Sequence, residues 1–330
     1  MNTPTREPAR QADERPGPPA LRLGTRRSAL ALAQSGLVAR AVTEATGRPV
    51  ELVEITTYGD VSRESLAKIG GTGVFVSALR DALLDGSVDF AVHSLKDLPT
   101  AYPGDLALAA IPAREDARDV LVARDRLKFA DLPPGSRVGT GAARRTAQLR
   151  LLREDVEIVP VRGNVDTRIG FVTSGQLDAV VLAHAGLARL GRLAEATDAF
   201  DPGTLVPSPG QAALAVECRA DDRELVRLLG AALDHTPTRQ AVESERALLN
   251  ALEAGCSAPV GAFATVVEQE LHLTANVIDV GAEGAGPEAL RSLRMSATGP
   301  ADEADRIGRE LARRMLDQGA DAFAWMGKRQ

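Results

Sequence analysis

Residues 139–147 read GTGAARRTA, and together with GTRRSA at residues 24–29 they decide the fold. Each run lies where a predicted strand gives way to a predicted helix. A second pair follows in the same order, GSVDFAV at 86–92 and GQLDAVV at 175–181. Matched signals in matched order predict two α/β domains of similar build, with coincidence in a chain rich in alanine and arginine as the alternative. Ligands of open α/β sheets bind at the carboxyl ends of strands, so we expect both sets of strand-to-helix loops to face one cleft.

Strands and helices alternate around these runs, which implies parallel sheets with helices on both faces. The predicted strands are Leu21–Gly24, Val50–Thr57, Val88–His93, Arg137–Gly139, Glu157–Val161 and Leu177–Leu182, and Arg118–Ala123 leads into the second unit. The predicted helices are Ser28–Thr46, Val74–Leu84, Ala142–Arg153 and Val165–Ser174.

A third unit follows a proline-containing connection at residues 203–213. Its helices are predicted at Ala241–Glu253 and Ala301–Asp317, and its strands at Val260–Val267, Leu271–Ile278 and Leu290–Ala297. Alternating apolar residues in the strands and a single apolar stripe on the last helix indicate a small α+β domain.

Bulk composition excludes several classes of protein. Aromatic residues make up 3% of the 330 residues and the net charge is −6, which argues against a nucleic-acid partner. No apolar run is long enough to span a membrane, so no membrane partner is expected. Two cysteines allow neither a disulfide framework nor a CxxC zinc site; we expect no metal and a reducing, cytoplasmic setting. Residues 1–20 lack the apolar core of a secretory signal and are predicted to be a disordered extension.

Arginine dominates the basic residues: only four of the 39 are lysine. Arg26-Arg27 and Arg144-Arg145 lie near the first turns of predicted helices, and Arg162 lies at another strand-to-helix junction. Cations are unfavourable at the positive end of a helix dipole, whereas the free N–H groups there favour anions. An anionic ligand would justify the placement; the alternative is solvated surface arginine.

A predicted buried strand ends in a run of polar residues, His93, Ser94, Lys96 and Asp97. Polar groups at the carboxyl end of a strand are a candidate site, with Asp97 as a proton donor or acceptor and Lys96 as an anion partner. His93 is more simply a hydrogen-bonded structural residue. A Ser-His-Asp hydrolase fits poorly, because His93 and Ser94 are adjacent and point to opposite faces of a strand.

Two further features have open interpretations. Cys256 lies in a predicted loop between Gly255 and Pro259, where a thiol can be a nucleophile, an attachment point or inert. Cys218 lies in an apolar run and is predicted to be a packed core thiol. Residues 70–73, GGTG, lack the P-loop signature and are interpreted as a hinge or lid.

Eight motifs in one order give a highly specific resemblance from about Leu21 to the C-terminus. They are LGTRRSALALAQ (23–34), DFAVHSLKDLPT (89–100), PAREDARDVLV (112–122), GTGAARRTAQL (139–149), VRGNVDTR (161–168), AGLARLG (185–191), PGQAALAVECR (209–219) and ERALLNALEAGCSAPVGA (245–262). The chain resembles the porphobilinogen deaminase (hydroxymethylbilane synthase) family.

The resemblance implies a transferase that joins four porphobilinogen molecules head to tail, with loss of four ammonia molecules, to give linear 1-hydroxymethylbilane for tetrapyrrole and haem synthesis. The growing oligopyrrole would be held on a covalent dipyrromethane cofactor, and the product would pass to uroporphyrinogen III synthase. The expected protein is a cytoplasmic monomer.

The implied fold class is α/β with three domains, the first two resembling a type II periplasmic-binding protein with a central cleft, the third a small α+β domain with the cofactor loop. The implied bounds are 21–115 with 207–235, then 116–206, then 236–330. A non-catalytic solute-binding protein with the same cleft is the alternative function.

The same resemblance implies roles for particular residues. Cys256 would carry the cofactor through a thioether, and Asp97 would be the catalytic aspartate that stabilises the cationic azafulvene formed as ammonia leaves. Cofactor contacts would come from Ser28, Ser94, Lys96, Thr140, Arg144, Arg145, Arg162 and Arg168. Substrate contacts would come from Arg26, Arg189 and Gln211.

The chain departs from the usual family pattern at several positions. Gly141 and Ala142 stand where hydroxyl residues are common, Thr72 stands where a lysine is common, and Ala254 replaces the first glycine before the cysteine. Tyr58 and His184 are also unusual. These departures affect the expected carboxylate contacts and loop mobility and leave Asp97 and Cys256 in place.

Overall fold

The computed structural model describes residues 19–56, 73–254, 258–279 and 290–323. The predictions for the N-terminal extension, the GGTG loop, Tyr58, Thr72 and Cys256 lie outside these residues or on side chains that are not described. In the described part no helix is long and apolar enough to cross a membrane.

Two five-stranded sheets form the body of the molecule. The first unit contains β1 (Leu21–Arg26), α1 (Ala29–Thr46), β2 (Val50–Ile55), α2 (Gly73–Leu84), β3 (Phe90–Ser94) and β4 (Leu106–Ala110). The second unit contains β5 (Asp119–Ala123), β6 (Arg137–Thr140), α3 (Ala143–Leu152), β7 (Glu157–Pro160), α4 (Val165–Thr173), β8 (Ala179–Ala183), α5 (His184–Arg189) and β9 (Asp198–Ala199). The chain then returns to the first unit with β10 (Leu214–Arg219) and α6 (Arg223–Leu233).

The two sheets have the same topology, which confirms the predicted duplication. The strand orders are β2-β1-β3-β10-β4 and β7-β6-β8-β5-β9. The first three strands of each sheet are parallel, whereas β10 and β5 run antiparallel to their neighbours. The prediction of parallel sheets is therefore wrong for the fourth strand of each. The error has a physical cause, because each of these strands belongs to a segment that crosses between the units.

The echo at residues 86–92 and 175–181 has a structural meaning. The Asp89 carboxylate accepts a hydrogen bond from Arg22 N at 2.7 Å, and the Asp178 carboxylate accepts one from Arg137 N at the same distance. Gly86 and Gly175 both have positive φ, 78° and 73°, which only glycine adopts readily. Each repeat thus uses a glycine turn and an aspartate to bring the third strand beside the first.

Helices cover both faces of each sheet, as predicted. In the second unit Leu149 packs on one face and Ile169, Val172 and Leu187 pack on the other. In the first unit α1 and α6 cover one face and α2 the other. Helix α1 is bounded by Ser28, whose hydroxyl accepts from Ala31 N, and by Gly47 in the left-handed region.

The third unit is a three-stranded antiparallel sheet with two helices. Its elements are α7 (Thr236–Ala251), β11 (Val260–Val267), β12 (Glu270–Asp279), β13 (Arg291–Pro300) and α8 (Ala304–Asp317). The helices pack closely because Gly308 of α8 lies against Ser244 and Ala247 of α7. The predicted α+β build of this unit is confirmed. Each of the three sheets takes all of its strands from one of the three predicted domains, and the exact bounds of those domains remain predictions.

A buried ion pair joins this third unit to the first. Glu245 of α7 is fully buried, and Arg114 donates to its two oxygens at 2.6 and 3.1 Å. The same carboxylate accepts from Gly210 N and from Ala264 N of β11. Because both lone-pair regions are filled, the buried charge is compensated and the crossing segments are fixed to α7.

Candidate active site

The turn after β3 carries the predicted catalytic aspartate. The chain leaves Ser94 and makes one 3-10 turn, Leu95–Asp97, in which Leu98 N donates to Leu95 O at 3.1 Å. Leu95 N donates to Ala213 O at 3.0 Å, which attaches the turn to the approach to β10. The Asp97 side chain is half-buried, and within the described ranges its carboxylate has no hydrogen-bond donor. It can therefore accept from the N–H groups of a ligand.

Lys96 lies beside this aspartate with its Nζ 3.5 Å from Gln211 Oε1. Burial lowers the pKa of Lys96 from 10.5 to about 8, and the charges of Arg145 and Arg144 act in the same direction. Asp97 and Asp119 oppose that change and are outweighed. An anion brought to this lysine would favour its charged form.

Arg144 and Arg145 begin α3 and share one buried carboxylate. The Arg144 Nη2 lies 2.7 Å from Asp119 Oδ2, and the Arg145 Nη2 lies 2.7 Å from Asp119 Oδ1. The three residues are 5%, 4% and 0% exposed. Burial by itself would raise the pKa of Asp119, but the two guanidinium groups hold it well below its ordinary range. Two cations against one anion leave an excess positive charge here.

Asp119 provides a protein anion for these two arginines. The sequence predicts that arginines at this helix start are balanced by the anion of a ligand, and that prediction is wrong in part, because Asp119 already pairs with both guanidinium groups. Strand β5 runs antiparallel to β8, so its first residue, Asp119, pairs with the last residue of β8, Ala183. The antiparallel direction of β5 thus places the Asp119 carboxylate at the edge of the sheet where the parallel strands end.

Gln211 reaches the same edge on the other crossing segment. Its side-chain amide donates to Ala117 O at 2.7 Å and to Asp119 Oδ1 at 2.9 Å, while its oxygen faces Lys96. At 1% exposure it bridges groups of the protein. Arg189 at the end of α5 donates to Ala212 O at 2.5 Å, and burial lowers its pKa. Both predicted substrate contacts therefore also hold the crossing segment.

Two more predicted arginines, Arg162 and Arg168, lie on the loop after β7 and in the helix that follows it. Arg168 in the first turns of α4 donates its Nε to Gly163 O at 2.9 Å. Burial lowers its pKa, and the charge of Arg145 lowers it further, which places the two guanidinium groups near each other. Arg162 is exposed on the same loop.

Gly141 explains one departure from the family pattern. A Cβ built at this position would lie 2.5 Å from Val161 O, so the backbone here has no room for a side chain. Thr140, 1% exposed, ends β6 and accepts from Ala142 N at 3.3 Å. The two strand-to-helix loops approach each other so closely here that residue 141 cannot carry a side chain, and the hydroxyl common in the family is therefore absent.

The first unit contributes the residues around the start of α1. Arg26 ends β1 and is half-buried. Ser28 uses its oxygen to cap α1, and Ser94 Oγ accepts from the buried Gln34 Nε2 at 3.0 Å. These contacts fix the end of β3 against α1.

The structure thus joins part of the predicted site into one network and leaves part beside it. The network contains Lys96, Arg144, Arg145 and Gln211, with Asp119 at its centre, and Asp97 follows Lys96 in the same turn while Arg168 lies in α4. Arg26, Ser28, Ser94, Thr140, Arg162 and Arg189 lie at the neighbouring strand ends and crossing segment. Sequence reasoning did not select Asp119, although an aspartate opening the fully buried strand DVLVA is a signal that could have found it.

His93 has the structural role expected of it. Its Nε2 lies 3.0 Å from Glu217 Oε2, and Arg80 donates to both oxygens of that fully buried carboxylate. Burial would raise the pKa of Glu217, but the neighbouring His93 and Arg80 side chains lower it to about 2. Cys218, also fully buried, has a pKa raised to about 11 by burial, so it is the packed thiol predicted.

The network fits a polycarboxylate group. Arg144 Nε is buried and has no hydrogen-bond partner among the described residues. A buried unsatisfied donor of this kind is costly unless an acceptor is supplied, and a charge-assisted bond from a carboxylate is the strong form. Two α/β units of one topology, with buried cations at the edge they share, define a two-unit α/β protein whose cationic edge suits an anionic ligand.

Comparison with known proteins identifies the family. Residues 21–227 match the porphobilinogen deaminase dipyromethane cofactor binding domain, and residues 239–317 match the porphobilinogen deaminase C-terminal domain. Porphobilinogen deaminase 1 of Streptomyces coelicolor is 59% identical over 94% of this chain and 98% of its own. The porphobilinogen deaminase of Thermobifida fusca is 57% identical over 91% of this chain and 94% of its own. The chain therefore belongs to the porphobilinogen deaminase family.

The activity is accordingly that of a hydroxymethylbilane synthase, a transferase with a dipyrromethane cofactor. Among solved structures, the second Venus-flytrap domain of Bordetella pertussis BvgS has a TM-score of 0.42 at 19% identity, covering 69% of this chain and 92% of its own. The methionine-binding protein MetQ has a TM-score of 0.41 at 13% identity, covering 64% of this chain and 89% of its own. At TM-scores this low the solved structures carry no argument, and the assigned activity rests on membership of the family alone.

Proposed function

We propose that Asp97 is the catalytic residue of the head-to-tail condensation of four porphobilinogen molecules. Its carboxylate is half-buried and has no donor in the part of the chain that the structure describes, and it follows Lys96, whose amine lies near the cations on α3; this is the observation that carries the role. An acceptor in that position binds pyrrole N–H groups and stabilises the positive charge that develops on the substrate as ammonia leaves.

We assign the carboxylates of substrate and oligopyrrole to the cationic edge. Arg144 and Arg145 bind Asp119, Lys96 approaches from the other sheet beside Gln211, and Arg168 lies in the next strand-to-helix region. Arg26, Ser28, Ser94, Thr140, Arg162, Arg189 and Gln211 are the further proposed contacts. A guanidinium forms a planar two-point bond with a carboxylate, which holds each pyrrole in a fixed orientation.

Cys256 is the proposed attachment point of the dipyrromethane. The group, when bound, supplies a retained primer on which the chain grows. The residues of this chain that would hold its carboxylates are the buried arginines, since Arg144 Nε requires an acceptor. We further propose that the protein is a cytoplasmic monomer that passes its product to uroporphyrinogen III synthase.

Intact-mass spectrometry tests the attachment. The wild-type protein is expected to exceed its sequence mass by two pyrrole units, and Cys256→Ser is expected to lose this increment. The matched control is Cys218→Ala, which removes the buried second cysteine and is expected to keep the mass increment. An unmodified and fully active wild-type protein would overturn the assignment. A wild-type protein that is both unmodified and inactive would instead favour the non-catalytic solute-binding alternative, against which the family membership argues.

A further inference from the structure

Helix α7 contacts the turn that carries Asp97 through one arginine. Arg246 donates from Nη1 to Leu98 O at 3.1 Å and to Leu95 O at 3.4 Å, and from Nη2 to Pro99 O at 2.6 Å. The guanidinium therefore holds carbonyl groups at both ends of the segment that contains Lys96 and Asp97. A planar fork with five donors can reach several acceptors at once, which an ammonium cannot do in the same geometry.

The same helix makes two more contacts with the segment that follows. The Thr100 hydroxyl donates to Asn250 Oδ1 at 3.0 Å, and Asn250 lies four residues after Arg246 on one face of α7. The Arg246 guanidinium carbon lies 5.9 Å from the centre of the Tyr102 ring. Helix α7 is itself rigidly held, because Val242 and Leu248 are fully buried.

The turn needs such a support. A single 3-10 turn has one internal backbone hydrogen bond and is a weak structure when isolated. Its other backbone attachment is Leu95 N to Ala213 O, on a segment that crosses between the units. The side chains of Leu95 and Leu98 are buried in one cluster with Val242 of α7, and Arg246 adds the hydrogen bonds that tie backbone carbonyls on both sides of Asp97 to the same helix.

We propose that Arg246 is a positioning residue for Asp97. It fixes the backbone of the turn to α7, so that this helix holds Asp97 in place relative to the third unit. This inference rests on the role proposed for Asp97. A shift of about 1 Å in a reacting group costs about 100-fold in rate, which is the scale of effect expected.

The test compares Arg246→Ala with Arg246→Lys and with a matched arginine of the same helix. Arg239 binds Asp234 and Leu108 O and makes no described contact with the turn, so Arg239→Ala controls for loss of an arginine from α7. For Arg246→Ala we expect wild-type cofactor mass, kcat reduced by about 100-fold and KM little changed. For Arg246→Lys we expect a smaller loss, and for Arg239→Ala an unchanged kcat.

Added guanidinium provides a readout that a merely structural role would not move. Millimolar guanidinium chloride is expected to restore part of the kcat of Arg246→Ala and to leave wild type and Arg239→Ala unchanged. If Arg246→Ala does not fold, Arg246→Lys decides, because a reduced kcat at wild-type melting temperature supports the proposal. Normal kcat in a folded Arg246 variant, or failure to load cofactor, overturns it.

The role of Asp97 is tested separately. Full turnover by Asp97→Asn would overturn the proposed function whatever the Arg246 variants do. If Asp97→Asn is inactive while Arg246→Ala is normal, only the positioning role is overturned.

Discussion

Arg145 and Asp119 form a buried ion pair in which one carboxylate oxygen accepts from Nε at 3.0 Å and from Nη2 at 2.7 Å. The remaining nitrogen, Nη1, donates to Val181 O at 3.0 Å. The guanidinium therefore cannot turn without breaking three hydrogen bonds, and its orientation is set before any ligand arrives. Preorganised charge of this kind needs little rearrangement on binding.

Removal of the shared carboxylate is expected to destabilise the protein strongly. Asp119→Asn leaves two buried guanidinium groups without their anion, and the expected loss in free energy of unfolding is about 3–5 kcal/mol. Urea unfolding measures it. Asp116→Asn is the control, because its ion pair with Arg118 is partly exposed and is expected to be worth at most about 1 kcal/mol. Equal losses in the two variants would contradict the role of Asp119.

Lys96 is expected to titrate far below an ordinary lysine. With only four lysines in the chain, reductive ¹³C-methylation gives few NMR signals, and one is expected to titrate near pH 8 in cofactor-free protein and to be absent in Lys96→Arg. Because the folded pKa is below the unfolded value of 10.5, this group opposes folding below pH 8, and its contribution to stability rises between pH 8 and 10.5. Cofactor binding is expected to move the titration upward, since bound carboxylates favour the charged lysine. If the signal that disappears in Lys96→Arg titrates near 10.5 in the cofactor-free wild-type protein, the burial of Lys96 is contradicted.

Asp97→Asn is expected to separate loading of the cofactor from turnover. The amide keeps the shape of the side chain and removes its charge, so the intact mass is expected to show the primer while kcat falls by about 100- to 10,000-fold. Asp105→Asn, an exposed aspartate on the approach to β4, is expected to behave as wild type. Steady-state kinetics on both variants, with mass spectra of the same samples, make the measurement.

The contact between α7 and α8 leaves no room for a methyl group. In Gly308→Ala the new Cβ would lie 2.9 Å from Ala247 Cβ and would clash with Ser244 O, and we expect a loss of about 1–3 kcal/mol in stability. Gly170→Ala in α4 is the control, because a Cβ there meets no described heavy atom within 4 Å and helix propensity favours alanine by about 0.5–1 kcal/mol. Thermal unfolding of the two variants should therefore shift in opposite directions.

The sequence predicts the repeated part of the fold well, because the signals are local. Gly86 and Gly175 mark turns, and the aspartates three residues later make the same bond in both units. Strand β4 and helix α6 were not predicted. Strand β10 is predicted only as the apolar run that contains Cys218. Its return to the first unit is implied by the family resemblance, which assigns 207–235 to that domain, since no local signal marks a segment that comes back after more than a hundred residues.

The candidate site is predicted as a set of residues and only partly as an arrangement. Lys96, Arg144 and Arg145 were selected from motif and position, and the structure brings them together. Asp119 was missed because its importance depends on the antiparallel direction of β5, a property of the pairing and of no single residue. The bridge made by Gln211 depends in the same way on the crossing that leads into β10.

The strand order of the first sheet has a consequence for synthesis of the chain on the ribosome. Strand β10 lies between β3 and β4, so β4 has no neighbour until Arg219 has been made. The second sheet takes all of its strands from the continuous stretch between Asp119 and Ala199. Domains usually fold in the order in which they emerge. Here the second unit can complete its sheet first. The N-terminal unit, although translated earlier, cannot complete its sheet until β10 has been made.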